Sequence, residues 1–178
     1  MTVQTWVGRF CVTEAGVQEE GRWLTSLVRQ HADEPPDELY VIVEPATEAS
    51  AELTAQVVDV VAQLYARDTL SITGAILRAL QSAHEHLRDW NKRSLREHHV
   101  GAGATCLAVR GADAYLAQVG PSLAYVCRAA GDVRRVAPDN VSADAALGMP
   151  DVIEPHVTRV HMEPGDCVLI ASSRFDHV

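Results

Sequence analysis

The sequence predicts an α+β fold in which sheets stack in layers and helices gather on one face. Three observations carry that expectation. Leu39-Tyr40-Val41-Ile42-Val43 is a short apolar run rich in β-branched residues, two consecutive amphipathic segments lie between residues 48 and 91, and from residue 103 the apolar pattern changes to a period of two. At 178 residues the chain has room for one well-cored domain spanning 1–178 and too little for two ordinary ones.

Each element follows from its local pattern. Residues 2–13 alternate weakly and read as a first strand, and residues 22–29 as another. Residues 31–38 are acidic, carry Pro35 and Pro36, and read as a loop. The run at 39–43 then reads as a buried strand. The first helix is expected over 48–66, with Ala49, Leu53, Val57, Val60, Val61 and Leu64 on one face. The second is expected over 72–91, with Ile72, Ile76, Leu80, Ala83, Leu87 and Trp90 recurring every three or four residues and Ser71 as its N-cap. Strands at 104–110 and 114–120 flank a turn at Gly111-Ala112, and strands at 122–128 and 132–136 flank Ala130-Gly131. After an irregular stretch over 137–151, strands at 155–161 and 167–172 enclose the turn Glu163-Pro164-Gly165-Asp166.

Bulk properties narrow the function classes. A hydrophobic fraction of 47% with 22% charged residues belongs to a globular chain. The net charge of −9, with both signs interspersed, argues against a nucleic-acid or anionic-membrane surface, since either needs a basic patch. The basic stretch at Lys92, Arg93 and Arg96 reads as a solvated helix end. The N-terminus has neither a basic region nor an apolar core, and no apolar run approaches the roughly 20 residues that cross a bilayer. Cys11, Cys106, Cys127 and Cys167 are far apart in sequence, show no ligand spacing, and are expected as buried reduced thiols. His84 and His86 are expected at the surface or its boundary. The expected location is cytoplasmic.

Several phrases, in order along nearly the whole chain, resemble the metal-dependent protein phosphatases of type 2C (the PPM family). They are Leu39-Tyr-Val-Ile-Val-Glu-Pro-Ala46 before a long helix, Gly101-Ala-Gly-Ala-Thr105 before an apolar strand, Ala117-Gln-Val-Gly-Pro-Ser-Leu-Ala-Tyr125, Leu147-Gly148, and the run from Glu163 to Ser172. The resemblance implies a β-sandwich with amphipathic helices packed on its outer faces. It also implies phosphomonoester hydrolysis by a water bridging two Mn²⁺ or Mg²⁺ ions, which need several hard carboxylate ligands.

This sequence departs from the family pattern at the positions that bear the chemistry. Gln18-Glu19-Glu20 stands where the family has an Asn-Glu-Asp segment, so Glu19 and Glu20 are candidate metal ligands. Glu44-Pro45 stands for an Asp-Gly pair, so Glu44 is a third candidate, while Pro45 replaces a glycine whose carbonyl contacts metal in the family. Gly120-Pro121-Ser122 stands for Gly-Asp-Ser. Ser172-Ser173-Arg174 stands for Ser-Asp-Gly, with a hydroxyl for a carboxylate at Ser173 and a cation at Arg174. Two divalent ions bring four positive charges into a small cleft, so lost acids and an added arginine weigh heavily against them. The expected function is therefore a catalytically impaired or inactive phosphatase-like domain that acts as a binding or regulatory module in bacterial-type signalling, without a cofactor. The first alternative is an active Mn²⁺- or Mg²⁺-dependent serine/threonine phosphatase using Glu19, Glu20 and Glu44. The second is a structural oligomerisation domain. The family continues beyond its Ser-Asp-Gly motif, so apolar surface or a sheet edge is expected to be covered by self-association or by a protein partner.

Overall fold

The computed structural model describes residues 5–13, 16–18, 21, 23–32, 34–47, 50–136 and 142–177. Within them, β1 (Cys11–Thr13) and β2 (Gly16–Gln18) form a small hairpin. β3 (Leu24–Arg29), β4 (Asp37–Pro45), α1 (Thr54–Arg67), α2 (Ile72–Asn91), β5 (Ala102–Arg110) and β6 (Asp113–Val119) follow. β7 (Leu123–Cys127), β8 (Val133–Arg135), β9 (His156–His161) and β10 (Cys167–Ala171) complete the order. A five-stranded antiparallel sheet runs β3-β4-β5-β6-β9, and a three-stranded one runs β10-β7-β8.

Strand alternation divides the core into two layers. Leu39, Val41 and Val43 of β4 and Ala104, Cys106 and Ala108 of β5 face the helices, where they meet Val57 and Val61 of α1 and Ile76, Leu80 and Leu87 of α2. Leu107, Ala114, Leu116 and Val160, on the opposite face of the same sheet, meet Ala124 and Val126 of β7, with Val168 and Ile170 of β10 packed alongside. The small residues of β5 let both layers approach closely. The result is helices on a sheet on a second sheet, the layered α+β sandwich that the sequence predicts.

The helices differ from expectation in detail. α2 has the expected span, and its N-cap Ser71 Oγ accepts from the Gly74 N–H at 3.3 Å. Trp90 is half exposed, however, and Asn91 is buried in its place; its amide donates to the Val100 and Gly148 carbonyls. α1 starts at Thr54, because residues 50–53 form a tighter turn in which the Leu53 N–H donates to the Ser50 carbonyl. Ala49 lies outside the described residues, and Leu64 faces outward while Val58 and Tyr65 take the buried stripe.

Three other expectations are corrected. Of the strand expected over 2–13, residues 2–4 lie outside the described residues, and among 5–13 only Cys11–Thr13 is strand, with Trp6 and Phe10 exposed. β4 begins at Asp37, inside the expected loop, because the Asp37 carboxylate is held at 2.7 and 3.1 Å by the Arg29 guanidinium of the paired strand. Only Cys106 is a buried thiol; Cys11 and Cys127 are half-buried and Cys167 is exposed. Among the described residues no helix is long and apolar enough to cross a membrane.

Candidate functional site

The C-terminal end of β4, the first residues of β5, the turn between β6 and β7 and the segment after β10 converge at one pole of the sandwich. Glu44 stands on the sheet face opposite the helices, one alternation beyond Ile42, and is 7% exposed. Its Oε2 accepts from the backbone N–H of Ser173 at 2.7 Å. Its Oε1 is buried without a hydrogen-bond partner. The structure thus brings together two of the positions singled out in the sequence, 129 residues apart.

Pro45 is tolerated in the sheet for a geometric reason. The Val43 N–H points away from β5 to the Trp23 carbonyl, and alternation aims the nitrogen of residue 45 the same way, past the end of β3. No ladder hydrogen bond is lost. Pro121 lies across Gly103: a Cβ on Gly103 would come within 1.9 Å of the Pro121 carbonyl oxygen. Gly120, at φ +69°, packs its backbone against Ala146 and Gly103. The turn is therefore closed onto β5 by backbone contact.

Beside this turn, Gln118 is buried and its amide Nε2 donates to Ser122 Oγ at 3.2 Å, while the Ser122 hydroxyl is oriented toward the Gly120 carbonyl. Gln118 Oε1 and Thr105 Oγ1 remain buried without partners. Gln118 also lines an open cleft of about 410 Å³ with Ser142, Asp144, Glu154 and His156.

The other predicted site residues do not add to the cluster. Glu19 and Glu20 lie outside the described residues. Arg174 is exposed and makes no ion pair with Glu44. Among the described residues there is no group of three or more His, Cys, Asp or Glu side chains placed to hold a metal ion. A hard divalent ion requires about six oxygen ligands, several of them anionic. Of the three candidate ligands, only Glu44 is among the described residues, and one of its oxygens already accepts from an amide. These residues do not fit a two-metal centre.

One residue was missed. His84 on α2 is buried, not at the boundary, and its Nδ1 accepts from the Gly148 N–H at 3.0 Å. Together with Asn91 it pins the Leu147-Gly148 segment, which bridges to Ala102 at the start of β5. Burial pushes the His84 pKa below its ordinary value of 6.5. A single histidine at a helical buried position carries no local sign of such a partner.

The family model described as protein phosphatase 2C matches residues 27–143. No curated protein sequence matches the chain. Among solved structures, the chain is similar to PppA, described as a key regulatory component of T6SS in Pseudomonas aeruginosa, at 20% identity and TM-score 0.63, covering 83% of this chain and 74% of that one. The S. agalactiae serine/threonine phosphatase is similar at 12% identity and TM-score 0.66, covering 90% and 76%. Serine/threonine phosphatase Stp1 from Staphylococcus aureus is similar at 11% identity and TM-score 0.62, covering 90% and 74%. At such identities these likenesses establish the fold.

Proposed function

The chain belongs to the protein phosphatase 2C family, and from that premise we propose that its domain is a binding or regulatory module without phosphatase catalysis. The observation that carries this reading is the Glu44–Ser173 contact. The acid at the end of β4 accepts a backbone hydrogen bond from the segment where the family resemblance places a second acid. A metal at Glu44 Oε2 would displace that N–H and leave it unsatisfied, which costs about 1–3 kcal/mol. No carboxylate at Ser173 would offset the loss. Pro45 keeps the carbonyl of the glycine it replaces but fixes φ and so restricts where that oxygen can point, and Pro121 stands where the family pattern has an acid.

The partner in this reading is a protein, met in a bacterial-type cytoplasmic signalling context. The bacterial origin of the similar structures and the regulatory role described for PppA support that setting. Self-association is the structural variant of the same idea. β10 is an edge strand whose Cys167–Ala171 sequence contains no charge or proline to deter edge pairing. Light scattering at high concentration separates the two, since a strictly monomeric particle excludes the structural variant.

A second reading has one observation in its favour. Glu44 Oε1 is buried and unpartnered, as a ligand awaiting a cation would be, and Glu19 and Glu20 are the acids that could join it. In that reading the domain is a Mn²⁺- or Mg²⁺-dependent serine/threonine phosphatase. Calorimetric titration of Mn²⁺ into chelator-stripped protein near neutral pH decides between the two. The binding-module reading expects no heat up to millimolar metal. Affinity tighter than about 0.1 mM, roughly −5.5 kcal/mol, sinks it.

A further inference from the structure

Two of the four cysteines, 40 positions apart in sequence, are direct cross-strand neighbours. In the antiparallel pairing of β7 with β10, Cys127 stands opposite Cys167. Val126 and Val168 of the same strands belong to the inner core, so the adjacent cysteines share the outer face of the three-stranded sheet. Cα atoms of directly opposed antiparallel residues lie about 4.5–5.5 Å apart, within the range a disulfide spans. Both side chains are reachable from solvent, Cys127 half-buried and Cys167 exposed.

The turn that delivers β10 fixes this register from outside the ladder. Asp166, immediately before Cys167, accepts from the Ala129 N–H at 2.9 Å through Oδ1. Through Oδ2 it accepts from Arg128 Nη1 at 2.5 Å and from the Glu163 N–H at 2.9 Å. Those two N–H donors and the Arg128 guanidinium hold the Asp166 pKa down, to about 2, so the anchor stays ionised at any physiological pH. The two strands are therefore tied together at the turn end of the cysteine pair, Asp166 before Cys167 to Arg128 and Ala129 after Cys127, whatever the oxidation state of the thiols.

We propose that Cys127 and Cys167 form a reversible intrachain disulfide, making the outer face of the β7–β10 pair an oxidative modification site responsive to hydroperoxides. The chemistry balances with hydrogen peroxide as the two-electron oxidant. The more exposed Cys167 thiol releases its proton, and its thiolate attacks one peroxide oxygen; the O–O bond breaks, hydroxide leaves and takes up that proton to become water, and a sulfenic acid remains. The Cys127 thiol likewise releases a proton and its thiolate attacks Cys167 Sγ; an S–S bond forms, the S–O bond breaks, the hydroxide that leaves takes up the proton as a second water, and both thiols have been oxidised. A dithiol reductant reverses the step by exchange.

The site lies at the start of β10, and the same strand ends two residues before Ser173, whose N–H donates to Glu44. The disulfide therefore anchors the strand that delivers Ser173 to the candidate site. The inference does not depend on whether the domain hydrolyses phosphate, because it rests on strand register alone.

The test is to treat the dilute full chain with hydrogen peroxide, alkylate the remaining thiols under denaturing conditions, and map tryptic peptides. The expected product is monomeric, lighter by two hydrogens, with peptide 111–128 joined to peptide 160–174 and with Cys11 and Cys106 alkylated. C127S and C167S, both outside the buried core, should each keep the fold and lose the cross-link. Hydrogen exchange at Ser173 should slow in the oxidised chain and recover with dithiothreitol. A cross-link through Cys11, one that joins two copies, or independent oxidation of Cys127 and Cys167 to sulfinic acids would overturn the assignment. Unchanged exchange at Ser173 would overturn its coupling to the candidate site.

Discussion

Glu44 and Ser173 are joined by a 2.7 Å hydrogen bond in which a side-chain carboxylate from β4 accepts from the backbone N–H just beyond β10. The bond closes the pole of the sandwich between its two sheets and engages one oxygen of the carboxylate that ends the buried part of β4. Replacing Glu44 by alanine should release the segment from residue 172 onward and cost about 1.5–3 kcal/mol, the range for hydrogen bonds to charged groups. Hydrogen exchange at Ser173 should accelerate. Glu44→Gln keeps an acceptor oxygen and should retain much of that protection. A metal ligand would behave otherwise, because the amide would be nearly as damaging as alanine.

The backbone contact between Pro121 and Gly103 makes a second expectation. A methyl group on Gly103 would lie 1.9 Å from the Pro121 carbonyl oxygen, and neither is the end of a flexible side chain. Gly103→Ala should therefore destabilise by at least about 1–3 kcal/mol, as overpacking does, read by thermal or urea unfolding. Gly111→Ala is a control for the volume effect, since nothing lies within 4 Å of a Cβ there and only its positive φ resists substitution.

At the opposite pole, Asp37 is fully buried and receives hydrogen bonds from Arg29 Nε and Nη2 and from Arg110 Nη2, while Arg29 stacks over the Tyr65 ring at 4.2 Å. Burial alone would raise the Asp37 pKa, but the Arg29 hydrogen bonds, with those of its neighbours, bring it from 3.8 down to about 2. The folded pKa is depressed, so the stabilisation is complete above the unfolded value near 4 and is lost as pH falls toward 2. A shift of that size corresponds to about 2 kcal/mol. Asp37→Ala should cost about 3–5 kcal/mol at neutral pH, because it leaves Arg29 buried without its anion. It should also flatten the acid limb of the stability curve between pH 4 and 2.

His84 gives a pH effect in a milder range. Its Nδ1 accepts from the Gly148 N–H, which only the unprotonated nitrogen can do, and its surroundings include Glu85 and Arg88 on the same helix and Asp151 on the facing loop. Burial lowers the folded pKa, so the stabilisation is present above 6.5 and declines as pH falls below it. Urea midpoints measured from pH 7.5 to 5 should fall in the native chain. In His84→Ala they should start lower, by about 1–3 kcal/mol for the orphaned Gly148 N–H, and vary less across that range.

These residues also show what was legible beforehand. The continuous apolar run of β4, the period of two in β5 and that of three to four in α2 placed the layers, because burial leaves its pattern in the sequence. Glu44 could be singled out because the family resemblance aligns Glu44-Pro45 with an Asp-Gly pair at the end of a buried strand. Its partner could not, since a backbone N–H has no residue identity and reaches Glu44 only through the β7–β10 register. The same holds for His84, whose partner is the Gly148 amide in an irregular stretch, and for Cys127 and Cys167, whose adjacency depends on long-range pairing. Asp37 reads as loop in the sequence because acidic residues and prolines mark turns locally, whereas its burial depends on Arg29 eight residues earlier. Glu19 and Glu20 remain sequence candidates, lying outside the described residues.

The central claim is tested most directly by phosphate release from a serine- or threonine-phosphorylated peptide, with the full chain at high concentration and Mn²⁺ or Mg²⁺ at millimolar level. The account predicts no release above the rate in buffer with metal alone, for the native chain and for Glu44→Ala alike. Metal-dependent release by the native chain that Glu44→Ala abolishes would contradict it and establish Glu44 as a ligand in a working phosphatase.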